Sequence, residues 1–229
     1  MRSDPNHFTR SLGRWGRSHR RSFPWRETGD PFRVLVAEVL LQRSRGRTVA
    51  GVYERLFERW PSADELARAR VDSIAAVIRP LGLVRRATIL RSLGRAVTEL
   101  GGVPRTLEGL LELPGVGPYA ANATLAVGFG QRVAVVDAVS ARVYRRYFGL
   151  EGTIPASVDR ALWDLVEEVT PRRAVLEWNW AVLDLAASIC LPKVPKCDKC
   201  PLMAHCAWSL RSRSVSEHRD RVSPRITGS

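Results

Sequence analysis

Four cysteines near the end of the sequence form a compact group that could bind a metal. They follow the spacing C-x6-C-x2-C-x5-C, and the chain contains no other cysteine: Cys190, Cys197, Cys200 and Cys206. Thiols grouped so tightly are more typical of a metal site than of disulfides, which are rare in a reducing compartment. On spacing alone, both a zinc ion and a [4Fe–4S] cluster fit four thiolates.

Two carboxylates, Asp137 and Glu38, occupy positions where they could act in catalysis. Asp137 follows the apolar run 133–136 and begins a segment with helical periodicity. Asp is a favoured N-cap, and a carboxylate held there can also act catalytically, so the two roles are compatible. Glu38 lies within an otherwise apolar helical segment. Because an unpaired buried carboxylate is costly, Glu38 requires a functional or ion-paired role.

A glycine-containing turn at residues 113–117, LPGVG, could bind phosphate. Gly115 and Gly117 would let the backbone approach a phosphate closely. The helix that follows would present unpaired N–H groups and the positive end of its dipole. A lone G-x-G turn more often only connects two helices, but LPGVG at the end of one helical segment and the start of the next is more specific.

The elements that position these residues are predicted to be helices. From Pro31 onward apolar residues recur at helical spacing, and no segment alternates as a strand would. Proline and glycine clusters divide the chain into helices of ordinary length. Ser62, with Glu65 three residues later, and Thr106 occupy N-cap positions. The sequence therefore predicts an all-α protein.

The charge of the chain favours a polyanionic partner. Lys and Arg number 36 against 23 Asp and Glu, the formal net charge is +13, and the pI is near 10.8. This balance is typical of nucleic-acid binding. Because no segment resembles a signal peptide or a membrane span, we expect a location inside the cell. Residues 1–26 have the composition of a transit peptide, but we interpret them as a basic arm touching DNA, because residues 23–26, FPWR, resemble the start of folded structure.

The chain resembles the helix-hairpin-helix iron–sulfur DNA glycosylases of the endonuclease III and adenine-glycosylase superfamily. The resemblance rests on the cysteine spacing, the LPGVG turn and Val136-Asp137, where Asp137 comes twenty residues after Gly117. The similarity covers about residues 23–206. It implies a [4Fe–4S] cluster and two helical domains with a DNA groove between them. The expected divisions are an N-terminal arm that packs with the cluster domain (1–30), a six-helix barrel with the helix-hairpin-helix (31–136), the cluster domain (137–210) and a basic disordered tail (211–229).

The resemblance also implies roles for single residues. Asp137 matches the essential aspartate, which stabilises the oxocarbenium-like sugar and orients or deprotonates water. Glu38 matches the general acid of adenine glycosylases. In DNA binding, Gly115 and Gly117 would grip the backbone, and Gln42 belongs to the matching motif of residues 40–44. Arg43 is the expected plug, which fills the space left by the flipped base and also recognises guanine, and Leu83 is the expected wedge between the strands. Further DNA contacts are expected on the cluster loop, from Lys193, Lys196 and Lys199. For any single one of these lysines, ordinary solvated charge is equally plausible.

Tyr119 discriminates among members of the superfamily. Bifunctional members carry a lysine there that forms a Schiff base, and a phenol cannot form an imine. The residue therefore predicts hydrolysis that leaves an abasic site, without lyase activity. With Glu38 and residues 136–138, Tyr119 resembles thymine-DNA mismatch glycosylases, which remove T or U opposite G. Tyr119 would line the pocket of the flipped base.

Two alternatives remain at this point. Adenine glycosylases, which act on A opposite G or oxidised guanine, share the match at Glu38. They differ in having a small hydroxyl residue at the position of Tyr119 and in usually carrying a further C-terminal domain. A non-catalytic iron–sulfur protein that binds DNA or senses redox state is the alternative of another class. We expect a monomer that acts on duplex DNA with a mismatched or damaged base, in a prokaryotic cytoplasm and associated with the nucleoid.

Overall fold

The structure, a computed structural model, describes residues 3–150 and 154–212. Regular secondary structure in these ranges is helical throughout, which confirms the predicted all-α fold. The α-helices, numbered in chain order, are α1 (Pro5–His19), α2 (Pro24–Glu27), α3 (Pro31–Leu41), α4 (Gly46–Arg59), α5 (Ala63–Arg68), α6 (Val71–Ile78), α7 (Arg86–Glu99), α8 (Leu107–Leu111), α9 (Pro118–Gly128), α10 (Ala138–Phe148), α11 (Arg160–Val169) and α12 (Val175–Ser188).

Residues 207–212 are also helical, so 211 and 212 continue a helix instead of opening the expected tail. The remainder of that tail, 213–229, lies outside the described residues. None of the described helices is both long enough and apolar enough to cross a membrane.

Local capping explains where several helices begin. Ser62 Oγ accepts the Glu65 N–H at 3.2 Å while the Glu65 carboxylate accepts the Ser62 N–H at 3.0 Å, which confirms the predicted capping box. Thr106 Oγ accepts the Gly109 N–H at the start of α8, also as predicted. Asp30 caps α3 by accepting the N–H groups of residues 32 and 33. Each such cap satisfies donors that a helix leaves unpaired and stabilises it by about 1 kcal/mol.

The chain divides into two compact units, which we call the central unit, Arg21–Val135, and the terminal unit, Met1–Arg20 with Val136–Ser229. The divisions fall after residues 20 and 135, whereas the sequence placed them after 30 and 136. Residues 21–30 join the central unit because Trp25 on α2 is buried in its core and makes an edge contact with Tyr53, with ring centroids 5.8 Å apart.

In the central unit, α3 is the buried helix. Its residues 34–40 are all buried, and it packs against α4, α7 and α9. A helix that is apolar on every side must be enclosed by other elements, and the apolar pattern of α3 predicts this position. Glu38 is the exception within this buried stretch, so the fold places a carboxylate in the interior of the unit.

In the terminal unit, the N-terminal helix α1 packs against α12 and α11. Phe8 and Leu12 are fully buried, and the Phe8 ring contacts Tyr144 and Trp178. The exposed face of α1 carries Arg10, Arg14 and Arg17.

The ion pair between Arg145 and Asp159 should make part of the stability depend on pH. Arg145 Nη2 lies 2.5 Å from Asp159 Oδ2, and both side chains are largely shielded from solvent. This hydrogen bond, together with the N–H of Leu162, holds the pKa of Asp159 below its ordinary value of 3.8. Because the folded-state pKa is the lower one, the stabilisation is fully present above 3.8 and is lost as pH falls through the folded-state value.

Asp159→Asn is therefore expected to lower the free energy of unfolding at pH 7, and by progressively less towards the lowest pH at which the protein stays folded. Urea denaturation across this range measures the difference. Asp64→Asn breaks the exposed pair with Arg68 and serves as the control, with an expected effect of about a few tenths of a kcal/mol. An effect of Asp159→Asn that does not change with pH would contradict the assignment.

Candidate active site

Asp137 is the N-cap of α10, as the sequence predicts. Its Oδ1 accepts the N–H of Val139 at 2.9 Å and of Ser140 at 2.6 Å, and its own N–H donates to Ser140 Oγ at 2.9 Å. These bonds fix the orientation of the half-buried carboxylate at the positive end of the helix dipole, where a negative charge is favoured. The Asp137 carboxylate is thus held in one orientation, in which it could stabilise a nearby positive charge.

Glu38 lies in the middle of α3 and is only 7% exposed. Its neighbours Ala37 and Val39 are fully buried. The carboxylate is therefore largely removed from solvent, as the apolar pattern around it predicts. Its catalytic role stays a prediction.

The LPGVG segment forms a tight turn between α8 and α9. The Val116 N–H donates to the Leu113 carbonyl at 3.1 Å, and Gly117 is the N-cap of α9. Gly115 has a φ of +77°, and a Cβ there would collide with Ile89 Cγ2. Gln42, predicted to contact DNA, donates from Nε2 to the Gly115 carbonyl at 2.9 Å. The turn is therefore fixed both by its own backbone and by a side chain from the end of α3.

Because Ile89 packs closely against Gly115, we expect a side chain at position 115 to destabilise the protein strongly. Gly115→Ala should lower the free energy of unfolding by about 2–5 kcal/mol, because it combines an unfavourable positive φ with a steric clash. Gly101 has a similar φ of +70° but no atom within 4 Å of a built Cβ, so Gly101→Ala should cost only about 1–2 kcal/mol. Chemical denaturation of both variants measures the difference, and equal losses would contradict a packed hairpin.

Tyr119 lies in the first turn of α9 and is half-buried. It packs against a small apolar cluster formed by Ala123, Ala126 and Val135. Val135 precedes Asp137 by two residues in the chain. Tyr119 thus packs within the central unit, against a cluster formed by the later turns of α9 and Val135.

Arg43 and Leu83 lie on two loops of the central unit. Arg43 is exposed in the connection between α3 and α4 and has a φ of 56°, unusual for a residue other than glycine. Leu83 is 37% exposed in the turn before α7, beside Val84 at 49%. Both side chains are therefore accessible, as residues that contact DNA must be.

All four cysteines line one small pocket in the terminal unit. Each is half-buried, and none is in a disulfide. Burial raises the pKa of Cys200 to about 12 and also raises that of Cys206, and the nearby cysteines add to both shifts. Thiols in such surroundings are deprotonated when a metal replaces the proton. Within the described ranges, no three His, Cys, Asp or Glu side chains are grouped to hold a single metal ion.

Two arginines donate hydrogen bonds to the cysteine segment, and neither was predicted from the sequence. Arg146 Nη1 donates to the Leu191 carbonyl at 2.6 Å and to Cys190 Sγ at 3.5 Å. Arg142 donates to the carbonyls of Cys190 and Ala186, each at 2.8 Å. Both belong to α10, the helix that Asp137 caps. Their spacing of four residues places them on one face of the helix, and this spacing is the sequence pattern that could have identified them.

The lysines predicted to contact DNA lie between the cysteines. Lys193, Lys196 and Lys199 are all exposed. The Lys196 N–H donates to the Ile189 carbonyl at 2.9 Å, so the backbone of this loop is tied to the segment after α12.

Comparison with known proteins places the chain in a family. Residues 36–168 match the HhH-GPD superfamily base excision DNA repair proteins. A thymine/uracil-DNA glycosylase of Methanothermobacter thermautotrophicus is 37% identical over 82% of this chain and 87% of its own length. An adenine DNA glycosylase of Rattus norvegicus is 36% identical over 89% of this chain, which spans 42% of that longer protein. The solved structure of a thermostable thymine-DNA glycosylase superposes with a TM-score of 0.85 and 34% identity, covering 90% of this chain and 97% of the other.

The chain therefore belongs to the HhH-GPD superfamily of base excision DNA repair proteins. These matches confirm the predicted superfamily, the helix-hairpin-helix fold and the enzyme class, a DNA glycosylase.

Proposed function

We propose that this protein hydrolyses the N-glycosidic bond of thymine or uracil opposite guanine and leaves an abasic site. The observation that carries the proposal is Tyr119 in the first turn after the hairpin, in a chain whose α10 is capped by Asp137. The phenol excludes Schiff-base chemistry at that position. Similarity to thymine/uracil-DNA glycosylases over most of the chain supports the same substrate class.

In this mechanism the protein must first take the target nucleotide out of the duplex. Unstacking costs a few kcal/mol and is least costly at a mismatch, which favours G·T and G·U pairs. The backbone turn at Gly115 and Gly117 would hold a phosphate, and Leu83 would fill the space that the base leaves. Tyr119 then offers an aromatic face to the flipped pyrimidine, whose ring can stack on it.

Asp137 and Glu38 would act on the bound nucleotide in different ways. As the glycosidic bond lengthens, positive charge develops on the sugar, and the Asp137 carboxylate stabilises it. The same carboxylate orients the attacking water and accepts its proton. Glu38, because it is shielded from solvent, is suited to contact the base through a hydrogen bond.

The cysteines fit a [4Fe–4S] cluster. Four half-buried thiols line one pocket, and an arginine donates towards Cys190 Sγ, an interaction that stabilises a thiolate. The cluster would be structural, cross-linking the segment from Cys190 to Cys206 so that its loop presents Lys193 and Lys196 to the DNA backbone. Iron and acid-labile sulfide assays should find four of each per chain; one zinc per chain would contradict the proposal.

The basic surface supports duplex DNA as the partner, and we infer that the enzyme acts as a monomer. The net charge of +13 and the exposed arginines of α1 provide electrostatic attraction without sequence preference. We infer that the protein acts on the chromosome of a prokaryotic cell.

A panel of duplexes tests the substrate. Single-turnover base release should occur from G·T and G·U, and it should be weak or absent with A opposite G, A opposite oxidised guanine, and oxidised pyrimidines. Activity confined to adenine would instead assign the protein to the adenine-glycosylase group, to which Glu38 and the rat relative also point. Activity confined to oxidised pyrimidines would overturn the role of Tyr119.

A further inference from the structure

Arg86 connects the two loops that carry Arg43 and Leu83. It is the first residue of α7 and is only 4% exposed, which is unusual for an arginine. Its guanidinium reaches back to the end of α3, where it donates to the Leu40 carbonyl in the last turn at 2.6 Å and to the Gln42 carbonyl just after the helix at 2.5 Å. It also donates to Ser44 Oγ at 3.1 Å. One buried cation therefore holds the last turn of α3 and two acceptors on the loop that follows it.

The other loop is joined to Arg86 through its backbone. The Arg86 N–H donates to the Leu83 carbonyl at 3.1 Å, which closes the turn that exposes Leu83. Arg86 is thus bonded through its backbone to the loop of Leu83 and through its side chain to the loop of Arg43. A planar guanidinium suits this task, because it has five donors in a fixed arrangement.

The loop around Arg43 needs such support. Arg43 has a φ of 56°, a conformation that is unfavourable for a residue with a side chain. Such backbone conformations persist where the surroundings enforce them. The bonds from Arg86 fix the carbonyls of residues 40 and 42, immediately before Arg43. Gln42 is fixed further by its bond to the hairpin carbonyl of Gly115.

We propose that Arg86 is a positioning residue for recognition of the base opposite the excised one. It holds the Arg43 loop in the strained conformation that aims Arg43 at the orphan guanine, in fixed register with Leu83. The inference rests on the proposed function and on the predicted contact of Arg43 with that guanine. Because the Arg86 side chain is buried and its donors are directed to the end of α3 and the loop after it, its effect on recognition would pass through Arg43.

The test uses equilibrium binding to duplexes that contain an abasic-site analogue opposite guanine or opposite adenine. This readout needs no catalysis, so it separates failure of this inference from failure of the proposed base-release activity. Wild type should bind the guanine duplex about tenfold or more tightly than the adenine duplex. Arg43→Gln and Arg86→Met should each bring this ratio close to one, and Arg86→Lys should restore part of it.

A double-mutant cycle distinguishes positioning from general destabilisation. Arg43→Gln with Arg86→Met should lower the ratio no further than Arg43→Gln alone, because both changes remove the same contact. Arg91→Met is the matched control: Arg91 lies on the same helix and donates to the Ala67 carbonyl, and its loss should leave the ratio unchanged. If Arg86→Met does not fold, Ser44→Ala removes one acceptor of the same loop and should lower the ratio by a smaller factor.

The inference is overturned if Arg86→Met, folded by circular dichroism, keeps the wild-type ratio while only its melting temperature falls. It is equally overturned if Arg43→Gln leaves the ratio unchanged, because Arg86 would then have no contact to position. Additive effects in the cycle would show that Arg86 acts independently of Arg43.

Discussion

Asp137→Asn should reduce base release from a G·U duplex by about 10³-fold or more, while the protein folds and binds DNA nearly as before. The substitution is informative because of the geometry at α10. Asn caps a helix about as well as Asp, so the bonds to Val139 and Ser140 can persist while the negative charge is lost. The expected loss therefore reports on catalysis and not on helix capping.

A matched control is available at the start of α3. Asp30 caps that helix by accepting two N–H groups, as Asp137 does for α10. Asp30→Asn makes the same chemical change at a similar cap and should leave the single-turnover rate within about twofold of wild type. If Asp137→Asn excised uracil at the wild-type rate, the carboxylate would be only a cap. That result would contradict the catalytic role proposed for Asp137 and would mean that another group assists the departure of the base.

Tyr119→Lys should introduce a reaction that the wild-type protein lacks. A lysine amine at this position can attack the sugar and form an imine, from which the DNA strand is cleaved without alkali. Borohydride should trap the imine as a covalent protein–DNA complex. The amine must be unprotonated to react, so trapping should increase as pH rises towards the pKa of the lysine.

Tyr119→Phe is the control for this experiment. It keeps an aromatic ring against Ala123, Ala126 and Val135 but cannot form an imine. Electrophoresis after borohydride treatment should show a complex with Tyr119→Lys and none with Tyr119→Phe or wild type. Trapping with wild-type protein would mean that another amine serves as nucleophile, and the hydrolytic mechanism would be wrong.

Local signals in the sequence predicted much of the fold. Ser62, Thr106 and Asp137 all cap helices in the structure, because capping depends on a side chain and backbone N–H groups two or three residues away. The hairpin was predictable for the same reason, since a glycine at a positive φ and a proline at a helix start both act locally. The interior position of Glu38 followed from the apolar residues on either side of it.

Contacts between distant segments could not be predicted in this way. Arg86 holds a loop more than forty residues earlier in the chain, and nothing in its own neighbourhood distinguishes it from the exposed Arg85. The amide of Gln42 donates to the Gly115 carbonyl, 73 residues later, a contact that no local pattern predicts; its contact with DNA stays a prediction. The boundary after residue 20 also depends on a tertiary contact, the burial of Trp25 against Tyr53. Spacing alone also left the metal open, because four thiolates accept zinc or an iron–sulfur cluster equally well.

The most direct test of the proposed hydrolysis is mass spectrometry of the DNA after a single turnover on a G·T duplex, without alkali. We expect free thymine and an intact strand whose mass equals that of the parent minus thymine plus water. This product requires hydrolysis at the glycosidic bond and no elimination. A strand that is already cleaved, or a thymine strand of unchanged mass after prolonged incubation, would contradict it.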